Sequence, residues 1–412
     1  MNVISAKDRE ILRELATHQL ELATSDENKK ILEKWDYIAK GKIGAPTVRF
    51  LVSNFTNETI DPRMRCEGEA ARELEAQLLF TCAGRDLFGD DTPITNEFVV
   101  KQNTWVEPFG NKPDLLRAKG VNAKGFHINP IIEDLEEDFD KLLPGFFGAD
   151  LSVTEEKIAL AKDVFGDILD VKAGMESLTG AITNPLVHLM TMENYYMSMY
   201  DYPELIHKIM DNACNVFERY YDFLEEKGLL LPTCGVRAVA QESFAFNNEL
   251  PTDKATKTTD VWGFLESQET TAVSPEDFAE FVFPYQDRMV KRFGLLSYGC
   301  CERVDAIFPQ ISKWKNLRKL SVSPFNNEPQ VGEYLRGTNI VYYSKPRSEY
   351  VTLPGPLDED AITNCFKKIS EAASGCMLEV AQREVGTIFG DYERGRRYVQ
   401  LAKEAIEKYW KP

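Results

Sequence analysis

The stretch "VWGFLESQE" (261–269), followed by "SPEDFAEFVFPYQDRMVKRFG" (274–294), decides the fold. The first segment is short, apolar and rich in β-prone residues. The second opens on Ser274 as an N-cap with Pro275 at the first helical position, and it closes on Gly294. The same alternation then repeats. "LLSYGCC" (295–301) reads as a strand and "VDAIFPQISKW" (304–314) as a short helix. "LRKLSVSPF" (317–325) is a strand again, a helical turn falls in "EPQVGEYLRG" (328–337), and "NIVYYSKP" (339–346) is the next strand. The helix "DEDAITNCFKKISEAASG" (358–375), the strand "MLEVAQRE" (377–384) and the amphipathic "DYERGRRYVQLAKEAIEKYW" (391–410) complete the series. Five consecutive strand–helix units imply a parallel sheet.

Upstream, "DILDVKAG" (167–174) precedes a long helical region at 184–227, and "GLLLPTCG" (228–235) follows it as a further strand candidate. The remaining strand is either "NEFVVKQNTW" (96–105) or "TVRFLVS" (47–53). Seven or eight strands in this rhythm match a (β/α)8 TIM-type barrel. An open doubly wound sheet is the alternative, but no GxGxxG loop follows a first strand. The expected organisation is a helical N-terminal extension over 1–110 packed on a barrel over 111–412. Ser5 and Ser25 are the N-caps expected for its first two helices.

The chain of 412 residues carries a formal charge of −18, which disfavours nucleic acid and highly anionic substrates. Its N-terminus is charged and helical rather than signal-like, and no apolar run is long enough to span a bilayer. A cytoplasmic protein that binds neither membrane nor nucleic acid is therefore expected. The eight cysteines form no CxxC pair, so reduced thiols are the default.

In a barrel the chemistry sits at the C-terminal ends of the strands. Cys300 and Cys301 fall there, as do Glu266, Ser267, Gln268 and Glu269, Ser323, Lys345 and Glu384. Cys376 opens its strand and belongs to the opposite rim. Two successive side chains cannot both point inward from a regular strand, but Gly299 allows a bend before the thiols. Thiolates bind zinc strongly, and a catalytic zinc keeps about three protein ligands. Cys300 and Cys301 with Glu384, or with Glu269, could form such a set; buried filler is the competing explanation for the pair. Lys345 suits a substrate carboxylate or phosphate, Ser323 and the loop residue His127 could reach a substrate, and Glu269 is a candidate catalytic carboxylate. His188 and His207 lie within helical runs and read as packing or surface residues.

The run "ESQETTAVSPEDFAEFVFPYQDRMVKRFGLLSYGCCE" with "NLRKLSVSPF" resembles the uroporphyrinogen decarboxylase superfamily. The upstream "NPLVHLMTMENYYMSMYDYPELIHKIMD" is similar to a helix pair of that superfamily. The decarboxylases need no metal and carry an arginine-rich motif resembling RQAGR; only Arg63 and Arg65 of "DPRMRCEGEAARELE" stand near here, so uroporphyrinogen is not the expected substrate. The methyltransferase branch uses zinc and exchanges methyl groups with a corrinoid. Where it carries His-x-Cys, this chain has Tyr298-Gly299-Cys300 or Gly299-Cys300-Cys301, with the cysteine kept and the histidine replaced. The resemblance implies a methyltransferase acting between a small methyl donor or acceptor and a cobamide carried on a separate corrinoid protein. It would use zinc held by Cys300, Cys301 and Glu384. A metal-independent decarboxylase of a small acid held by Lys345, or a non-catalytic ligand-binding barrel, are the alternatives.

Overall fold

The computed structural model describes residues 4–117, 126–142 and 144–412. Two helices, α1 (Ala6–Thr24) and α2 (Asp26–Ala39), open the chain. Their N-caps are Ser5, whose hydroxyl accepts the Asp8 N–H at 3.0 Å, and Ser25, which accepts the Asn28 N–H at 3.2 Å. The strands that matter below are β1 (Thr47–Phe50), β2 (Glu97–Lys101), β3 (Asp114–Arg117), β4 (Phe126–Asn129), β5 (Asp170–Gly174), β6 (Leu178–Thr179), β7 (Gly235–Val239) and β8 (Ser243–Ala245). They continue with β9 (Trp262–Leu265), β10 (Leu295–Tyr298), β11 (Leu317–Val322), β12 (Val341–Ser344) and β13 (Leu378–Gln382).

A seven-stranded parallel sheet runs in the order β1-β13-β12-β11-β10-β9-β6. Its strands are buried along nearly their whole length, as expected of a parallel sheet with covered faces. β2 pairs in parallel with β5, and β7 and β8 form an antiparallel hairpin. The fold is thus α/β with a parallel central sheet. Among the described residues no hydrogen-bonded ladder joins β1 to β2. A cavity of about 480 Å³ lies between them, walled by Phe50, Val52, Phe98 and Val99.

Three expectations need correction. The segment 1–110 is not a purely helical extension, because β1 pairs with β13 from Thr47↔Glu379 to Phe50↔Gln382. Its four residues are all buried, so "TVRF" behaves as an interior strand, while "NEFVVK" supplies β2; both of the competing candidates are strands. Residues 229–234 are irregular, and the strand begins only at Gly235 (φ +60°), after Pro232, which has no N–H to give a ladder. The helix at 274–294 splits into α3 (Pro275–Phe281) and α4 (Phe283–Val290), because Pro284 cannot donate within a helix and crowds the preceding turn.

Trp35 of α2 reaches inward, its indole N–H donating to the Asp91 carbonyl at 2.9 Å and its ring lying 5.9 Å from the Lys319 ammonium. One apolar core joins Val48, Phe50, Tyr298, Tyr342 and Tyr398, so the first strand and the last helix share an interior. No helix among the described residues is long and apolar enough to cross a membrane.

Candidate active site

The sequence around the thiols folds into a sharp turn at the end of β10. Gly299 sits at φ +99°, a conformation open to glycine, and a Cβ there would stand 3.1 Å from Val304 Cγ1. The turn that follows is held from every side. The Glu302 carboxylate folds back to accept the Cys300 N–H at 2.6 Å and the Ser267 N–H at 2.9 Å, stapling the end of β9 to the thiol turn. Ser321 and Ser323 donate their hydroxyls to the carbonyls of Cys300 and Cys301, each at 3.0 Å. Lys345, at the end of β12, donates to the Cys300 carbonyl and lies 3.4 Å from the Gln241 amide oxygen.

The bend brings the two sulfurs side by side, with the Cys300 thiol donating to Cys301 Sγ at 3.8 Å. That bond favours the Cys301 thiolate and pulls its pKa below the ordinary thiol range; the Lys345 ammonium acts in the same direction, against partial burial. Cys300 is pushed up by the same hydrogen bond and by burial. Burial also lowers the pKa of Lys345.

Beneath the thiols lie two buried carboxyls. Glu266 is raised well above the usual carboxylate range by burial, then by repulsion from Glu269 and Glu302. Glu302 is raised by burial, although its two backbone donors and Lys345 oppose the shift. Tyr298 shares a 2.9 Å hydrogen bond with Ser267 and donates to Gln286, which in turn donates to the Glu266 carbonyl at 3.0 Å.

At the mouth, Arg383 donates to the Gln241 side chain and stands 3.7 Å from both Glu242 Oε2 and Glu384 Oε1. Arg383 Nε and Glu242 Oε2 are buried, and neither has a hydrogen-bond partner among the described residues. Gln241, Glu242 and Glu384 have φ of +60°, +60° and +56°, a region non-glycine residues enter at a cost of about 1–3 kcal/mol each. The Tyr343 hydroxyl on the Gln241 carbonyl (2.6 Å) and Arg49 on that of Glu242 hold the turn there. A cavity of about 170 Å³ opens among these groups, lined by Cys301, Ser323, Lys345, Arg347, Arg383 and Glu384.

Cys300, Cys301, Ser323, Lys345 and Glu384 therefore come together. Ser323 is fully buried and spends its hydroxyl on the turn. Glu384 accepts from Asn54 at 3.0 Å on the exposed rim. Glu269 turns elsewhere, accepting from Thr183 at 2.9 Å and Asn184 at 2.8 Å and so tying the helix Thr183–Met190 to the end of β9. His127 is exposed on β4, outside the residues that line the Cys301 cavity. His207 stacks on Phe281, with ring centroids 5.0 Å apart. Cys376 is buried before β13, its thiol 3.4 Å from the Gly332 carbonyl. Glu302, Glu242 and Arg383 had no role in the sequence reading. Glu302 carried one signal, its place directly after the thiols at a strand end.

Among the described residues no group of three or more His, Cys, Asp or Glu side chains is arranged to hold a metal ion. Cys300, Cys301 and Glu384 are not gathered into such a group, and a lysine ammonium supplies positive charge to the sulfurs.

No protein-family model matches the chain, and no curated protein matches it. Among solved structures, a methyltransferase from Methanosarcina mazei is similar over 91% of this chain and 98% of its own, at 15% identity and a TM-score of 0.50. At that identity the likeness is one of fold.

Proposed function

We propose that the chain is an enzyme of group transfer, a methyltransferase of the kind found in the uroporphyrinogen decarboxylase superfamily, built on a (β/α)8 barrel whose wall β2 and β5 continue between β1 and β6. The observation that carries this is the Cys301 thiol, favoured as thiolate, lining a small cavity with Lys345 at the C-terminal strand ends. The fold likeness to a methyltransferase supports it. Cys301 is the soft nucleophilic group, Lys345 and Arg383 orient an anionic part of the substrate, and Glu302 fixes the thiol turn. At about 170 Å³ the cavity falls below the usual range for drug-sized ligands, about 300–1,000 Å³, so a small substrate fits inside and a tetrapyrrole does not. A cobamide, which would supply the methyl carrier, has then to be presented at the mouth by a separate protein. Among the described residues Cys300, Cys301 and Glu384 form no three-donor group for a metal ion.

The test is incubation with small methyl donors and reduced cobalamin, following methylcobalamin by its absorption. A donor that reacts with the parent should react at least roughly 10²-fold more slowly with Cys301→Ser. No methyl transfer from any donor, or full activity in the variant, would overturn the proposal. Three cations (Lys345, Arg347 and Arg383) around one cavity also favour a second reading, decarboxylation of a small acid. Release of carbon dioxide without methyl transfer would select it.

A further inference from the structure

We infer that Cys300 and Cys301 form a thiol–disulfide exchange site that takes a low-molecular-weight disulfide and closes on itself as a reversible vicinal disulfide. Three observations carry this, and none depends on methyl transfer. The sulfurs are already 3.8 Å apart, side by side, and closure brings them to about 2.05 Å. Both thiols are half-buried rather than sealed, and Cys301 lines an open-mouthed cavity, so a small disulfide can reach it. Among the described residues each sulfur has the other as its hydrogen-bonded neighbour, whereas Cys66, Cys82, Cys214 and Cys376 are buried and Cys234 and Cys365 have no hydrogen bond to either thiol.

The chemistry balances in two steps. The Cys301 thiolate attacks the small disulfide, forming a mixed disulfide and releasing one small thiolate. Cys300 then gives up its proton to that thiolate and attacks the Cys301 sulfur, expelling the second small group as a thiolate that takes a proton from water. Two protein thiols are oxidised and one disulfide is reduced to two thiols. Adjacent Cα atoms are about 3.8 Å apart, below the usual disulfide range of about 4.4–6.8 Å, so the ring is strained and easily reduced. Closure takes away the free Cys301 thiol that lines the cavity, and reduction restores it.

The experiment treats the full chain with excess 2-hydroxyethyl disulfide, quenches, alkylates and maps the tryptic peptide 293–303, which holds these two cysteines alone. The parent should yield that peptide two hydrogen masses lighter, with no alkylation and no hydroxyethylthio adduct, and a mild reductant should reverse the change. Cys300→Ser, lacking the resolving thiol, should stop at a stable adduct on Cys301. A stable adduct in the parent, two thiols that remain fully alkylatable, or a crosslink to Cys234 or Cys365 would each overturn the inference. The parent alone decides the outcome if the variant folds poorly.

Discussion

Two buried charge clusters lie at opposite ends of the same strands, and they are built on opposite plans. Towards the strand starts, Lys319 of β11 donates to Glu379 of β13 at 2.7 and 3.0 Å and to Ser243 at 2.7 Å, while Ser243 donates to Glu379 at 2.9 Å. Cation, anion and hydroxyl satisfy one another there. At the strand ends, Glu266 and Glu302 form no ion pair at contact distance among the described residues, the thiols share one hydrogen bond, and Arg383 and Glu242 keep polar atoms without a hydrogen-bond partner there. The closed cluster holds β11, β13 and the β7–β8 hairpin together. The open one keeps protonation and bonding capacity facing a cavity, as reactive sites do.

The largest expected effect comes from breaking the closed cluster. Lys319→Met strands the Glu379 carboxylate in the interior and should cost about 3–5 kcal/mol in urea unfolding, whereas Lys319→Met with Glu379→Leu should recover most of that loss. A double variant as unstable as the single one would mean that the pair is not the organising contact.

At the other end, Glu302→Gln leaves one of two backbone N–H groups facing an amide NH2. A loss of about 1–3 kcal/mol is expected, smaller than for Lys319→Met. An unchanged unfolding midpoint would show that the staple adds nothing.

The clusters should also differ in pH response. The Glu266 pKa is raised on folding, so its contribution is fully present below the unfolded value near about 4.3 and is lost as pH rises through the folded value. Glu266→Gln abolishes that loss. The stability of the variant relative to the parent should therefore climb from about pH 4 towards neutrality, by at most about 1.4 kcal/mol per pH unit. A flat difference in melting temperature across that window would refute a raised Glu266.

The smallest effect is local to the thiols. Lys345→Met removes a cation that favours the thiolate, so iodoacetamide alkylation of Cys301 at neutral pH should slow several-fold and its pH profile should move upward. An unaltered profile would leave the Cys300 hydrogen bond as the sole cause.

The sequence by itself determined the parallel α/β plan, since β-prone runs alternating with capped helices from Val261 onward leave no other arrangement for the strands. Ser5, Ser25 and Ser274 marked helix starts because N-capping is local chemistry. The place of Cys300 and Cys301 at a strand end, and the bend at Gly299, were legible for the same reason. The tertiary structure alone decided that "TVRF" joins β13, a pairing across more than three hundred residues that no local pattern encodes. It also turned Glu269 towards Thr183, fixed Glu302 beneath the thiols and gathered Lys345, Arg383 and Glu384 around Cys301. A side chain's partners depend on which strand ends become neighbours, and that is settled only when the sheet assembles and its interior is closed to water.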